Sequence, residues 1–362
     1  MIKRLTVIAT VLAVGLQFLP AAQAGAEPTG GTGDTIAARD GCERTTSTVR
    51  LTATDATPYR IAGWMCGPRA PHDGEVQFLL HGFTYNHLYW MGLGVDRLDY
   101  VRAAARQGRT TFVIDQLGAG ASDHPDPTGV TSGDLAYVAH QLVGRLRSGQ
   151  IGRAHTHFQR VIGVGHSMGA GIALLEAGTY HDVNAVVLAD ELHATNAEGV
   201  NTLNSHVIPA NTLSRFASLP DGYLTVEPRS LFYDTGLADP SVIDLDEQIG
   251  IDTTGAFTPT PDPGDPAFSD AITVPVLIVV GRQDSLDCGE ATGLSCANAG
   301  AVMDRESSLY SGASCMDAFV LDSGHDTNLH NAAPQWFAYA GDWVDAVDHG
   351  QPSAQTRSCL PG

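Results

Sequence analysis

A serine held between glycines, an aspartate and a histidine each follow an apolar run in this sequence, and together they have the makings of a nucleophilic site. The serine is Ser167, in Gly165-His166-Ser167-Met168-Gly169, between the run starting at Val161 and the Ala-rich Ile172 to Ala177. A strand turning sharply into a helix forces the residue at the turn into a strained backbone, where side chains two positions away would collide. Glycine on both sides meets that demand. Ser167 then stands exposed above a sheet, with the Met168 N–H and the helix N-terminus facing a developing oxyanion. With 40 glycines in 362 residues, the five-residue pattern alone would also describe an ordinary turn, so its setting carries the reading.

A second oxyanion donor is expected where the apolar Val76 to Leu80 runs into His81-Gly82-Phe83. Glycine lets the loop fold close to the nucleophile, and the next amide, that of Phe83, points inward. His81 reads as a structural brace. The aromatic stretch that follows supplies Tyr85, Tyr89 and Trp90, which either line a substrate pocket or fill local core. Asp284 follows the run ending at Val280, and His325 follows Ala318 to Leu321. Asp190 and Asp287 compete with Asp284 for the acidic position. His330 competes with His325 but reads as surface next to a helix.

Those residues need strand ends. Apolar strands are expected at Thr48 to Thr54, Arg60 to Cys66, Val76 to Leu80, Thr111 to Ile114, Arg160 to Gly165, Ala185 to Ala189, Val274 to Val280 and Ala318 to Leu321. Helices are expected at Asp96 to Arg106, Ser132 to Arg147 and Asn331 to Val347. Asp115 and Ser122 read as turn formers, because the glycines between them lack phosphate-loop spacing and a lysine. Alternating strands and helices imply an α/β fold, with a mostly parallel sheet covered by helices on both faces. The expected division is a signal peptide at 1–24, a flexible leader at 25–45, a core at 46–190, a lid or cap insertion at 191–270, and core again at 271–362. The insertion is rich in Pro, Gly, Thr and Asp and breaks the alternation.

At five places in chain order the sequence resembles the α/β-hydrolase superfamily: His81-Gly82, the glycine-rich turn from Asp115 to Ser122, the Ser167 turn, Gly281 to Asp284, and Ser323-Gly324-His325. The insertion resembles that of secreted bacterial serine esterases and lipases. The resemblance implies that Ser167 attacks an acyl carbonyl, His325 takes and returns the proton, and Asp284 orients the imidazolium. Phe83 and Met168 are implied as the oxyanion donors, and Asp190 occupies an alternative location of the acid in the family. A serine at the nucleophile position argues against dehalogenase and epoxide hydrolase chemistry. Ala170 departs from the commoner second glycine.

Composition narrows the partners. The formal net charge is -20, and Lys3 is the one lysine. Nucleic acid and anionic membranes are poor partners for such a surface, and without Lys3 a Ser-Lys or Schiff-base mechanism is excluded. Lys3, Arg4, the run Leu5 to Leu19 and Ala22-Gln23-Ala24 read as an export signal cleaved near Ala24, too short to span a membrane stably. Six cysteines in an exported chain imply three disulfides. Proximity pairs Cys42 with Cys66, Cys288 with Cys296 and Cys315 with Cys359. No cofactor or metal is implied: there is no C-x-x-C, and the acidic Asp284 to Glu290 lacks EF-hand spacing. The expected activity is hydrolysis of a small-molecule carboxylic ester or lactone. Peptide, carbon-carbon or perhydrolytic chemistry on the same residues, and a non-catalytic binding protein, are the alternatives.

Overall fold

The structure is a computed structural model, and it describes residues 32–39, 41–68, 74–152, 156–255, 259–349 and 358–360. The expected signal peptide, 1–24, lies outside the described residues. Six strands come first: β1 (Glu43–Val49), β2 (Tyr59–Cys66), β3 (Glu75–Leu80), β4 (Thr111–Ile114), β5 (Arg160–His166) and β6 (Ala185–Ala189). Between β6 and the next core strand, β7 (Val207–Pro209), β8 (Tyr223–Val226) and β9 (Thr254–Gly255) form a small antiparallel sheet of their own. The chain then returns for β10 (Val276–Gly281) and β11 (Met316–Leu321). The main sheet has the order β1-β2-β4-β3-β5-β6-β10-β11; the pairs β1-β2 and β2-β4 are antiparallel and the rest parallel.

Alternation along the strands divides the interior in two. Val76, Phe78, Leu80, Val161, Ile278 and Val280 join one buried cluster, whereas Leu79, Ile162, Val164, Leu277 and Val279 join the other. Side chains on a pleated strand point to opposite faces at a period of two, so each face needs its own helices. α3 (Ser132–Arg147) and α4 (Met168–Tyr180) cover the first face, through Leu135, Leu142, Ile172 and Leu174. α2 (Tyr100–Arg106) and the C-terminal α5 (Ala333–His349) cover the second, through Tyr100, Trp336 and Trp343. α3 begins in a capping box: the Thr131 side chain accepts from Asp134 N–H, and the Asp134 carboxylate accepts from Thr131 N–H.

Three expectations shift. Residues 32–39, inside the expected flexible leader, form helix α1 (Thr32–Arg39), because Ala37 is buried and Trp64 Nε1 donates to Asp34 Oδ1. β1 lies earlier than Thr48 to Thr54: Cys42 is bonded to Cys66, the ladder runs from Glu43 opposite Met65, and Thr52 and Asp55 form a turn. α2 starts at Tyr100, because the extended Asp99 caps it by accepting from Arg102 N–H. The three disulfides are Cys42–Cys66, Cys288–Cys296 and Cys315–Cys359, the pairing that proximity suggests. Among the described residues no helix is long and apolar enough to cross a membrane.

β5 lies between β3 and β6, and α4 leaves its end at once. A side chain on Gly165 would lie 2.3 Å from the Gly169 carbonyl oxygen and 2.4 Å from Ala170 backbone atoms. Gly165→Ala is therefore expected to push strand and helix apart, at a cost of about 1–3 kcal/mol typical of overpacking. Its melting temperature should fall further than that of the cap variant Thr131→Ala, for which about 1 kcal/mol is usual. A Gly165→Ala protein as stable as wild type would contradict the packing described.

Candidate active site

The carboxyl ends of parallel strands share one edge of a sheet, and ligands bind at that edge in open α/β folds. Here it carries His81 after β3, Ser167 after β5, Asp190 after β6, Asp284 after β10 and His325 after β11. Ser167 has φ 52 and ψ -124, a left-handed conformation for a residue with a side chain. Its N–H donates to Ala189 O at 2.8 Å, and its carbonyl accepts from Ala170 and Gly171 N–H, which pins the turn to β6 and α4.

The structure brings three of the expected residues into one series. Ser167 Oγ lies 2.9 Å from His325 Nε2, and His325 Nδ1 lies 2.9 Å from Asp284 Oδ2. A carboxylate only accepts, so Nδ1 donates to Asp284 and Nε2 faces the serine hydroxyl. Asp284 Oδ1 accepts from Leu286 N–H at 2.8 Å, which fixes the carboxylate. The His325 carbonyl is anchored by His166 Nε2 at 3.0 Å. Asp190 Oδ1 accepts from Gly281 N–H instead, so of these two acids Asp284 is the one that pairs with His325. Burial works against a charged His325, but the Asp284 carboxylate and its hydrogen bond hold the imidazole above its ordinary range.

Two backbone amides adjoin Ser167 in sequence or in the neighbouring loop, those of Met168 and Phe83. Every residue from 75 to 93 is buried except Phe83, and every residue from 161 to 178 except Ser167 and Met168. Among the described residues the Phe83 and Met168 amides have no acceptor. Gly82 brings the loop close: a side chain there would meet His166 Nδ1 at 2.6 Å and Ser167 Cβ at 3.3 Å. His81 braces the loop, since its Nε2 accepts from Gln116 N–H and its carbonyl from Gln116 Nε2. Burial drives its pKa down to about 4, so it carries no charge at neutral pH.

Tyr85, Tyr89 and Trp90 do not form an open pocket. All three are at most 1% exposed. Tyr89 stacks on His166 at 4.2 Å and Trp90 meets Tyr100 and Trp336 edge-on. Tyr85 enters a polar network under the site, with its hydroxyl 2.7 Å from Asp246 Oδ2 and 2.5 Å from Asp326 Oδ2. Tyr233 also reaches Asp246, and Arg229 pairs with Asp246 while lying 4.0 Å above the Tyr85 ring. One phenol has one proton to give. Burial and the Asp246 charge push Asp326 up to about 7, so the second carboxyl is readily protonated. His330 is likewise buried, not on the surface: its Nε2 accepts from Gly324 and Asp234 N–H. Sequence reasoning missed Arg229 and Asp246, for no periodicity or spacing marks them.

Among the described residues, two groups have ion-holding proximity. In Asp284, Asp287 and His325, the first and last are already engaged with each other; in His140, Glu176 and Asp182, His140 Nδ1 pairs with Asp182 at 2.7 Å. A cleft of about 380 Å³ opens beside the Asp284 loop, with Leu203, Leu231 and Leu286 among its walls.

Residues 77–340 match the model of the family described as Alpha/beta hydrolase family. A search of curated proteins finds no match. Among solved structures, the chain is similar to a thermophilic esterase from Thermogutta terrifontis, at 15% identity and TM-score 0.52, over 83% of this chain and 98% of that one. It is similar to an esterase of Pyrococcus furiosus at 14% identity and TM-score 0.51, over 85% and 92%. A bacterial membrane phospholipase A aligns at 15% identity and TM-score 0.52, over 87% and 90%. At such identities the likeness is one of fold.

The Asp284 contact predicts a measurable titration. In protein carrying ¹⁵N-histidine, His325 should protonate at a pH above the usual 6.5 of histidine, and Asp284→Asn should move that midpoint down. An unshifted His325, or one indifferent to Asp284→Asn, contradicts the assignment.

Proposed function

The chain belongs to the alpha/beta hydrolase family, and from that premise we propose that it is an exported serine hydrolase cleaving a small carboxylic ester or lactone. The observation that carries the reading is the unbroken series Ser167 Oγ, His325 Nε2, His325 Nδ1, Asp284 Oδ2, with both contacts at 2.9 Å. His325 Nε2 removes the hydroxyl proton as Ser167 Oγ attacks the carbonyl carbon. The Asp284 carboxylate stabilises the imidazolium that results. The tetrahedral oxyanion accepts from the Phe83 and Met168 amides, donors with no other described acceptor to give up.

Collapse expels the alcohol, which takes its proton from His325, and leaves an acyl group on Ser167. Water then attacks that acyl-enzyme with His325 again as base, releasing the acid. Carboxylic esters suit this site because the attacked carbonyl needs only a nucleophile, a base and an oxyanion hole. The cleft beside the Asp284 loop sets Leu203, Leu231 and Leu286 among polar groups of Asn196, Glu198, Thr202, Ser230 and Ser285, a mixed wall that suits a small substrate with both apolar and polar parts. Three disulfides and the basic, apolar leader ending Ala22-Gln23-Ala24 support export.

A fluorophosphonate probe followed by peptide mass spectrometry is expected to modify Ser167, with p-nitrophenyl esters turned over in parallel. Ser167→Ala and His325→Ala should each lower kcat by at least about 10⁴-fold with folding intact, because the series acts as a unit. The kcat/KM profile should rise with pH, since the base works only when neutral, and the inflection should lie above 6.5. A folded, oxidised protein that neither labels nor turns over esters would point to a non-catalytic binding protein.

A further inference from the structure

Thr84, directly after the Phe83 amide, has φ 58. That left-handed conformation is unusual for a β-branched residue and persists only where the surroundings enforce it. Each polar group of Thr84 ends on the insertion between β6 and β10. Its N–H donates to Thr254 Oγ1 at 2.9 Å, its carbonyl accepts from Asp252 N–H at 2.9 Å, and its Oγ1 accepts from Arg229 Nη1 at 2.8 Å. The loop is thus clamped at both ends, by Gln116 at His81 and by the insertion at Thr84.

The clamp is itself immobilised. Arg229 is fully buried, with its Nε turned to Asp246 and its guanidinium over the Tyr85 and Phe232 rings. Leaving would strand the Asp246 carboxylate in the interior. Asp252 Oδ2 accepts from Asn86 Nδ2 at 2.6 Å and from Gly120 N–H at 3.0 Å, which stitches the same segment to two core loops.

We propose that Arg229, Asp252 and Thr254 are positioning residues: they hold Thr84 left-handed, and so aim the Phe83 amide at the place where the oxyanion forms. This part of the insertion therefore stays seated during turnover instead of opening as a lid. The inference rests on the proposed role of Phe83 as an oxyanion donor.

Arg229→Met risks unfolding, because it leaves Asp246 without its cation, so the deciding variants are Thr254→Val and Thr254→Ser. Valine keeps the shape and loses the acceptor; serine keeps the acceptor. In the full oxidised chain, kcat and KM for p-nitrophenyl butyrate are measured with the inhibition constant of butaneboronic acid, which becomes tetrahedral on the serine. Thr254→Val is expected to lower kcat about tenfold or more, part of the loss seen when a whole oxyanion donor is removed. KM should stay within about threefold, because the lost contact matters only in the transition state. Boronate affinity should fall with kcat, and Thr254→Ser should restore both.

A folded Thr254→Val with wild-type kcat and boronate affinity overturns the proposal. So does a variant that loses only melting temperature. Wild-type protein serves as the internal control: if it neither labels nor turns over, the hydrolase reading fails and takes this inference with it, whereas an active wild type with an indifferent Thr254→Val sinks the positioning role alone.

Discussion

The left-handed backbone at Ser167 is the constraint on which the rest of the structure depends. Such a conformation costs of order 1–3 kcal/mol for a residue with a side chain, and it survives because both of its neighbours are fixed. β5 is paired on both sides, with Leu80 opposite Gly165 and His166 opposite Ala189. α4 is buried over nearly its whole length. Gly165 is needed because a side chain there would strike the α4 backbone at Gly169 and Ala170, and Gly169 because one there would strike the Leu80 and His81 carbonyls at the end of β3. Once the turn is fixed, Ser167 can only stand at the carboxyl edge of the sheet, where the ends of β10 and β11 deliver Asp284 and His325.

Beneath that edge the protein buries charge where fat would be simpler. Arg229, Asp246, Asp326, Tyr85 and Tyr233 form one polar cluster with almost no solvent contact. The Arg229 cation compensates one carboxylate, and a shared or bound proton suits the other. The arrangement joins the loop after β3, the insertion and the residue after His325. Hydrogen bonds in such surroundings are strong and geometrically exacting, which suits a region that must hold several loops in register without moving them.

Much of the frame was legible from local pattern. Ser167, Asp284 and His325 each follow an apolar run, and a parallel sheet brings such run ends together whatever their separation in sequence. The cysteine pairs follow chain proximity. What stayed hidden involves long-range or side-chain-specific contact. Arg229 meets Thr84 across 145 residues, and no spacing rule points from one to the other. Tyr85, Tyr89 and Trp90 read equally as pocket or core, because large aromatic side chains serve both, and burial decided for core. His330 reads as surface in the sequence yet is buried, since sequence does not reveal that two backbone amides converge on its ring. β1 moved because Thr-rich Glu43–Val49 has strand propensity without apolar alternation, and the bond to Cys66 fixes its partner.

The most direct test is a crystal structure of the protein after reaction with a phosphonate. The account predicts phosphorus bonded to Ser167 Oγ, with one phosphoryl oxygen about 2.7–3.1 Å from both the Phe83 and Met168 nitrogens. Arg229, Asp252 and Thr254 should still hold Thr84. An adduct on another residue, a phosphoryl oxygen turned away from those amides, or an insertion withdrawn from Thr84 would contradict it.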